Sequence, residues 1–161
     1  MQGSTFIELR PQAGAQPQGC TNFQLRQLMR RVGQHYDLEM GKIGLKTTQY
    51  SLLSLILKLG PVRPSDLAKA MTMEPSTLTR NLKPLLAAGW VASASGSDGR
   101  SRSVTITEAG RTKRAEAQRR WKSAQLGLNQ ILGVQRVTAL HALLQESLLI
   151  LAPTTSRSDD V

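Results

Sequence analysis

The run Glu74-Pro75-Ser76-Thr77-Leu78-Thr79-Arg80-Asn81-Leu82-Lys83-Pro84-Leu85 narrows the possible folds more than any other part of the chain. It begins as a helix suited to a DNA groove. Proline is favourable at a first helical position, where its missing N–H would have no partner anyway. Leu78, Leu82 and Leu85/Leu86 recur at three- and four-residue spacing and give the segment one buried face. The other face carries Ser76, Thr77, Thr79, Arg80 and Lys83, short hydroxyls followed by long cations. Hydroxyls near a helix N-terminus reach base edges or phosphates, and an arginine can grip guanine O6 and N7 with two hydrogen bonds. A cationic helix face is commonly just a solvated one. The neighbouring segments argue against that reading.

Upstream lies Gly60-Pro61-Val62-Arg63-Pro64-Ser65-Asp66-Leu67-Ala68-Lys69-Ala70-Met71. Pro64 and Asp66 both suit a first helical turn, the carboxylate because it faces the positive end of the helix dipole. Leu67, Ala68 and Met71 supply an apolar face. Two short helices joined through Thr72-Met73-Glu74 form a helix-turn-helix, with the second helix as reader. Downstream, Gly89 ends the helix and Trp90-Val91-Ala92 opens a β-like stretch. Ser95 to Arg102 is rich in turn residues and holds Arg100 and Arg102. Val104-Thr105-Ile106-Thr107 then alternates at strand period. Strand, cationic loop and strand after a helix-turn-helix predict a winged helix-turn-helix. In the loop, Arg100 is expected in or along a minor groove, with Asp98 bracing Arg102 by an ion pair.

The run Ser76 to Leu82, the exit Ala88-Gly89-Trp90-Val91, the wing Asp98-Gly99-Arg100-Ser101-Arg102 and the stretch Thr105-Ile106-Thr107-Glu108-Ala109-Gly110-Arg111 together resemble the MarR family of bacterial transcriptional regulators. The similarity extends from about Thr21 to Leu151. Pro84 departs from a regular helix, because it removes a backbone hydrogen bond inside the reading segment. It lies away from the base-reading turn, so a mild bend is expected.

Charge agrees with a polyanionic partner. The 161 residues carry a formal charge of +10 and have a pI near 10.7. Residues 46–107 hold eight Lys/Arg against three Asp/Glu, and residues 108–131 hold six against two. The last thirty residues hold two against three. General solubility would not need this asymmetry; a DNA-facing region would. No basic-then-apolar leader and no apolar run of membrane-spanning length stands in the sequence, so a cytoplasmic location is expected.

Two helical regions flank the DNA-binding part. Leu25, Leu28/Met29, Val32, Tyr36, Met40 and Ile43 form one apolar stripe; Val137, Leu140, Leu144, Leu148 and Leu151 form another. Glu108 to about Ile131 reads as a long charged helix with Thr107 as N-cap. A helix this polar buries little alone, and two-fold dimers match palindromic operators. The expected class is therefore mainly α with a small β-wing. Residues 46–107 form the winged helix-turn-helix, and residues 20–45 and 108–151 form a helical dimerisation region. Residues 1–19 and 152–161 are expected to be tails. The family resemblance implies the same homodimer, formed by the first and last helices, and a small, often phenolic or aromatic-carboxylate effector that releases the DNA.

Gln24, Gln27, Arg31 and His35 share one side of the first helix, beside its apolar stripe. The proposed aromatic-acid effector would meet Arg31 at its carboxylate and His35 at a ring nitrogen or hydroxyl. A solvated helix edge with an intersubunit ion pair is the plainer reading. Gly19-Cys20-Thr21-Asn22-Phe23, followed by Leu25-Arg26, resembles the branch that contains repressors of nicotinate catabolism, which implies a hydroxylated pyridine carboxylate. Cys20 offers a rival, since a helix beginning at a Thr21 or Asn22 cap would lower its thiol pKa. Peroxide sensing is therefore an alternative, although Tyr36 and Tyr50 do not match the expected tyrosine positions. A non-specific basic nucleic-acid-binding protein is a further alternative, but it leaves the wing unexplained. No enzyme is expected. His35 and His141 stand on different helices, and no second cysteine or glycine-rich phosphate loop is present, so neither a metal nor a cofactor is implied. Trp121, between Arg120 and Lys122, is expected to pack toward the dimer core or the effector cleft rather than stack on bases.

Overall fold

The computed structural model describes residues 16–95 and 102–152. Eight elements follow in order: α1 (Thr21–Gly41), α2 (Thr47–Leu59), α3 (Pro64–Ala70), α4 (Pro75–Ala87), β1 (Val91–Ser95), β2 (Arg102–Ile106), α5 (Glu108–Leu132) and α6 (Val134–Ile150). The mainly α class with a small β-wing is what forms. β1 and β2 pair antiparallel, with Val91 opposite Ile106 and Ser95 opposite Arg102. Val62, between α2 and α3, exchanges two backbone hydrogen bonds with Val104. This bridge ties the start of the helix-turn-helix to the sheet.

The alternation in β2 works as expected. Val104 and Ile106 are buried while Ser103 and Thr105 are half-exposed. They close a core with Leu52, Leu53 and Ile56 of α2, Leu67 and Ala68 of α3, and Leu78, Leu82 and Leu85 of α4. α2 is the surprise here. Its run Leu52-Leu53-Ser54-Leu55-Ile56-Leu57 is apolar nearly all round, so no stripe marks it as a helix, and periodicity alone cannot tell such a run from a buried strand.

A second, smaller core joins Met40, Leu45, Tyr50 and Ala117, with Trp121 and Trp90 packed against it. Trp90 borders both cores. Trp121 stacks at a tilt on Tyr50, their rings 6.5 Å apart, so it packs against α2 and the second core. α1 lies along α5, and α6 folds back after a corner of one residue, Gly133, whose φ of +83° suits glycine. Between α1, α5 and α6 an apolar cavity of about 350 Å³ is walled by Leu25, Val32, Leu128, Leu132 and Leu140.

Most of the apolar stripe of α1 and α6 is not covered. Tyr36, Met40 and Val137 are buried, but Leu25, Leu28 and Met29 are exposed, as are Leu144, Leu148 and Leu151. The α1 cap also differs from expectation. Cys20, not Thr21 or Asn22, occupies the N-cap position, and its side chain makes no capping hydrogen bond.

Candidate nucleic-acid interface

The reading helix is built as its sequence suggests. Pro75 takes the first helical position. Leu78, Leu82 and Leu85 are buried beneath it, while Ser76, Thr79, Arg80 and Lys83 are exposed and Thr77 is half-exposed. The Thr79 hydroxyl donates to the Pro75 carbonyl at 2.9 Å, a back-bond within the helix. Arg80 and Lys83 pair with no carboxylate among the described residues. Pro84 does not interrupt the helix, which continues to Ala87.

The exit is a Schellman motif. Gly89, at φ +69°, sends its N–H to the Leu86 carbonyl, and the Trp90 N–H reaches the Leu85 carbonyl. The next residues enter β1 at once, so the sheet begins where the helix ends. Between α4 and the sheet lies a trough of about 350 Å³, floored by Leu82 and Val104. Thr79, Lys83, Ser93 and Arg102 also line it. Ser93 is a polar lining residue that the sequence reading missed; the alternating hydroxyls Ser93 and Ser95 on an exposed strand were the available signal. Arg102 starts β2 and is exposed. Asp98 and Arg100 lie outside the described residues, as does the rest of the loop between them and Arg102.

The line Gln24, Gln27, Arg31 and His35 is not gathered into one site. The Gln24 amide donates to the Gln18 carbonyl at 3.3 Å. Gln27 and Arg31 stand with Phe23, Arg30 and Gln34 around a shallow, open depression lined by α1 alone. His35 instead turns onto α5, where Nε2 lies 2.8 Å from the Ala124 carbonyl. One helix face remains in register along its length, but α5 runs beside only part of it. The expected grouping of Arg31 with His35 is thereby corrected, and neither lies between α1 and the winged region.

The α1–α5 seam carries further polar contacts. The Tyr36 hydroxyl donates to the Gln125 side chain, and burial pushes its phenol above the ordinary value. Glu39 accepts a hydrogen bond from Lys42, which lowers its pKa; burial opposes this, and the charges of Lys42, Arg120 and His35 lower it further. Cys20 is exposed at the far end of α1. Tyr36 is sixteen residues along the helix, roughly 24 Å at 1.5 Å per residue. Tyr50 sits in the second core. Neither tyrosine is a neighbour of the thiol.

Among the described residues, no three His, Cys, Asp or Glu side chains are grouped to hold a metal ion, and no helix is long and apolar enough to cross a membrane.

A family model described as "MarR family" matches residues 45–101, from the loop before α2 into the wing. The chain is 28% identical over 93 residues to an uncharacterized HTH-type transcriptional regulator, YwoH, of Bacillus subtilis, a match covering 58% of this chain and 68% of that one. Among solved structures, the transcriptional regulator MOSR of M. tuberculosis in complex with DNA is 31% identical, with a TM-score of 0.65 over 80% of this chain and 98% of that one. A mutant MarR from E. coli complexed with operator DNA is 19% identical, and it shares the fold with a TM-score of 0.71 over 79% of this chain and 92% of that one. The architecture, the reading helix and the sequence match over nearly all of MOSR agree, and the chain belongs to the MarR family of winged-helix transcriptional regulators.

Proposed function

We propose that the protein is a homodimeric, sequence-specific DNA-binding repressor that leaves a palindromic operator when a small aromatic acid binds. One observation carries the DNA reading: α4 presents Ser76, Thr77, Thr79, Arg80 and Lys83 outward over buried leucines, beside a sheet whose second strand begins with Arg102. Two such helices related by a two-fold axis would enter successive major grooves. The relatives solved with DNA support this reading. Arg80 is assigned a guanine, Lys83 the phosphates beside the trough, and Arg100 the minor groove, with Asp98 bracing Arg102 by an ion pair.

The dimer reading rests on the uncovered leucines of α1 and α6, which a second copy would bury. For the effector, the depression around Phe23, Gln27, Arg30, Arg31 and Gln34 joins an aromatic ring to two guanidinium groups, a chemistry suited to an aromatic carboxylate such as a hydroxylated nicotinate. Gln24 and His35 would act beside that site rather than in it. The chain is expected to work without a cofactor.

Selection of duplexes from a random pool tests the DNA reading. A two-fold symmetric sequence should emerge and bind roughly a thousandfold or more tighter than a random duplex. Arg80→Ala should cost about 1–3 kcal/mol on that sequence and relax one base pair. Equal loss on every duplex would make Arg80 a phosphate contact, and no enrichment at all would leave a non-specific nucleic-acid-binding protein. Titration with aromatic acids should then weaken operator binding about 5–150-fold. Arg31→Ala should blunt this response and Cys20→Ser should not. If Cys20→Ser abolishes release by every acid and by organic peroxide alike, the protein is a thiol switch.

A further inference from the structure

The first turn of α5 is locked into the end of the reading helix more tightly than packing of side chains would require. The Thr107 N–H donates to the Trp90 carbonyl at 3.1 Å, and the Thr107 hydroxyl donates to the Gly89 carbonyl at 2.7 Å. The same hydroxyl oxygen accepts the Gly110 N–H at 3.0 Å, capping α5. Gly110 is buried, and a Cβ placed there would stand 2.0 Å from the Trp90 carbonyl oxygen and 2.8 Å from Ile106 Cγ1. A methyl group cannot be accommodated at that distance by turning a side chain, because the obstacle is backbone. α5 would have to move away from the α4 exit by more than 1 Å before ordinary contact at about 3.5 Å is regained. At the other end of α5 the contrast is plain. A Cβ on Gly127 would lie 3.3 Å from the His35 ring, which is a side chain and can give way.

We infer that Gly110 is a positioning residue for DNA reading: its bare backbone, pressed on the Trp90 carbonyl, fixes the angle at which the reading unit leaves α5. This rests on the two-fold DNA-binding reading above. α5 runs without interruption for 25 residues, about 37 Å, from this joint into the helical region proposed to meet a second copy. A tilt at its first turn therefore displaces one reading helix relative to the other and leaves each reading helix intact.

The test compares two duplexes in the full-length protein: the palindrome selected by the parent, and the same duplex with one half-site scrambled. Gly110→Ala should lose about tenfold or more on the palindrome, equivalent to about 1.4 kcal/mol, and less than about twofold on the single half-site. Thr107→Val removes the shared hydroxyl without adding bulk, and it should show the same selective loss at smaller size. If Gly110→Ala does not fold, Thr107→Val decides the matter alone. Equal loss on both duplexes, or none on the palindrome, overturns the inference and makes the joint a packing contact. A parent protein that selects no symmetric duplex would instead defeat the DNA reading on which the inference stands.

Discussion

The winged unit and the helical region solve the problem of apolar surface in opposite ways. In the winged unit, α2, α3, α4 and the two strands close around side chains such as Leu52, Leu53, Ile56, Leu67 and Leu85, all at 0% exposure. In the helical region, α6 buries Val137 alone, and Leu148, Leu149, Ile150 and Leu151 stand 67–80% exposed. A monomer rarely keeps so much contiguous apolar surface in water. The contrast teaches that the winged unit covers its own apolar surface, whereas the helical region leaves much of its own uncovered. It also explains where each function belongs. The reader needs a rigid floor, and the proposed dimer helices would need a face left open.

The largest expected effect lies in the closed core. Leu53→Ala should lower stability by about 2–5 kcal/mol in urea unfolding, because it removes a fully buried side chain and leaves a cavity. A loss below about 1 kcal/mol would mean that the winged core is looser than its burial indicates. Leu148→Arg, on the open face, should do the reverse. It should leave the unfolding of the winged unit nearly unchanged and raise the dimer dissociation constant about tenfold or more in sedimentation equilibrium. Unaltered self-association would remove α6 from the interface.

Between the two units the effects should be smaller. Asp37 of α1 accepts the Thr47 N–H at 2.8 Å and the Thr47 hydroxyl at 2.7 Å, so a residue of one unit caps the first helix of the other. Asp37→Ala should cost about 0.5–2 kcal/mol, the range for losing a helix cap, and it should loosen the seam while sparing both cores. Amide exchange confined to the first turn of α2 would bear this out; exchange spread through α2 to α4 would contradict it. The smallest effect concerns alkaline pH. The folded chain holds the Tyr36 proton more tightly than the unfolded chain, since burial raises the phenol pKa. The resulting stability is present below about pH 10 and lost as pH rises through the folded value. Tyr36→Phe should therefore lose less stability than the parent between pH 9 and 11. Equal losses would show that Tyr36 titrates as freely as a solvated phenol.

Which parts of this were legible follows from how local each signal is. Pro75, Gly89 and Thr107 each act within a few residues, and all three do what their residue type suggests: first helical position, left-handed exit and N-cap. The alternation of Val104 and Ile106 predicts the strand for the same reason. The bridge from Val62 to Val104 joins residues 42 apart in the chain, and no local pattern announces it. α2 is hard to read because the apolar run from Leu52 to Leu57, broken only by Ser54, erases its period. His35 was misplaced because helical spacing says which residues share a face, but not where along that face a neighbour lies. The joint at Gly110 is likewise invisible in sequence: its motif carries only a resemblance, whereas the reason for a glycine there lies in the Trp90 carbonyl.

Trp90 and Trp121 are the chain's two tryptophans, and both sit where the units meet: Trp90 at the exit of the reading helix with Lys113 over its ring, Trp121 on α5 against Tyr50. The protein's own ultraviolet emission is consequently a gauge of this seam. Occupation of the reading helix around Arg80, ten residues before Trp90, should change the emission little, while any event that shifts α5 against the winged unit should colour it. Binding and articulation can thus be followed separately in an unlabelled sample, one by the mobility of the DNA and the other by light from the protein.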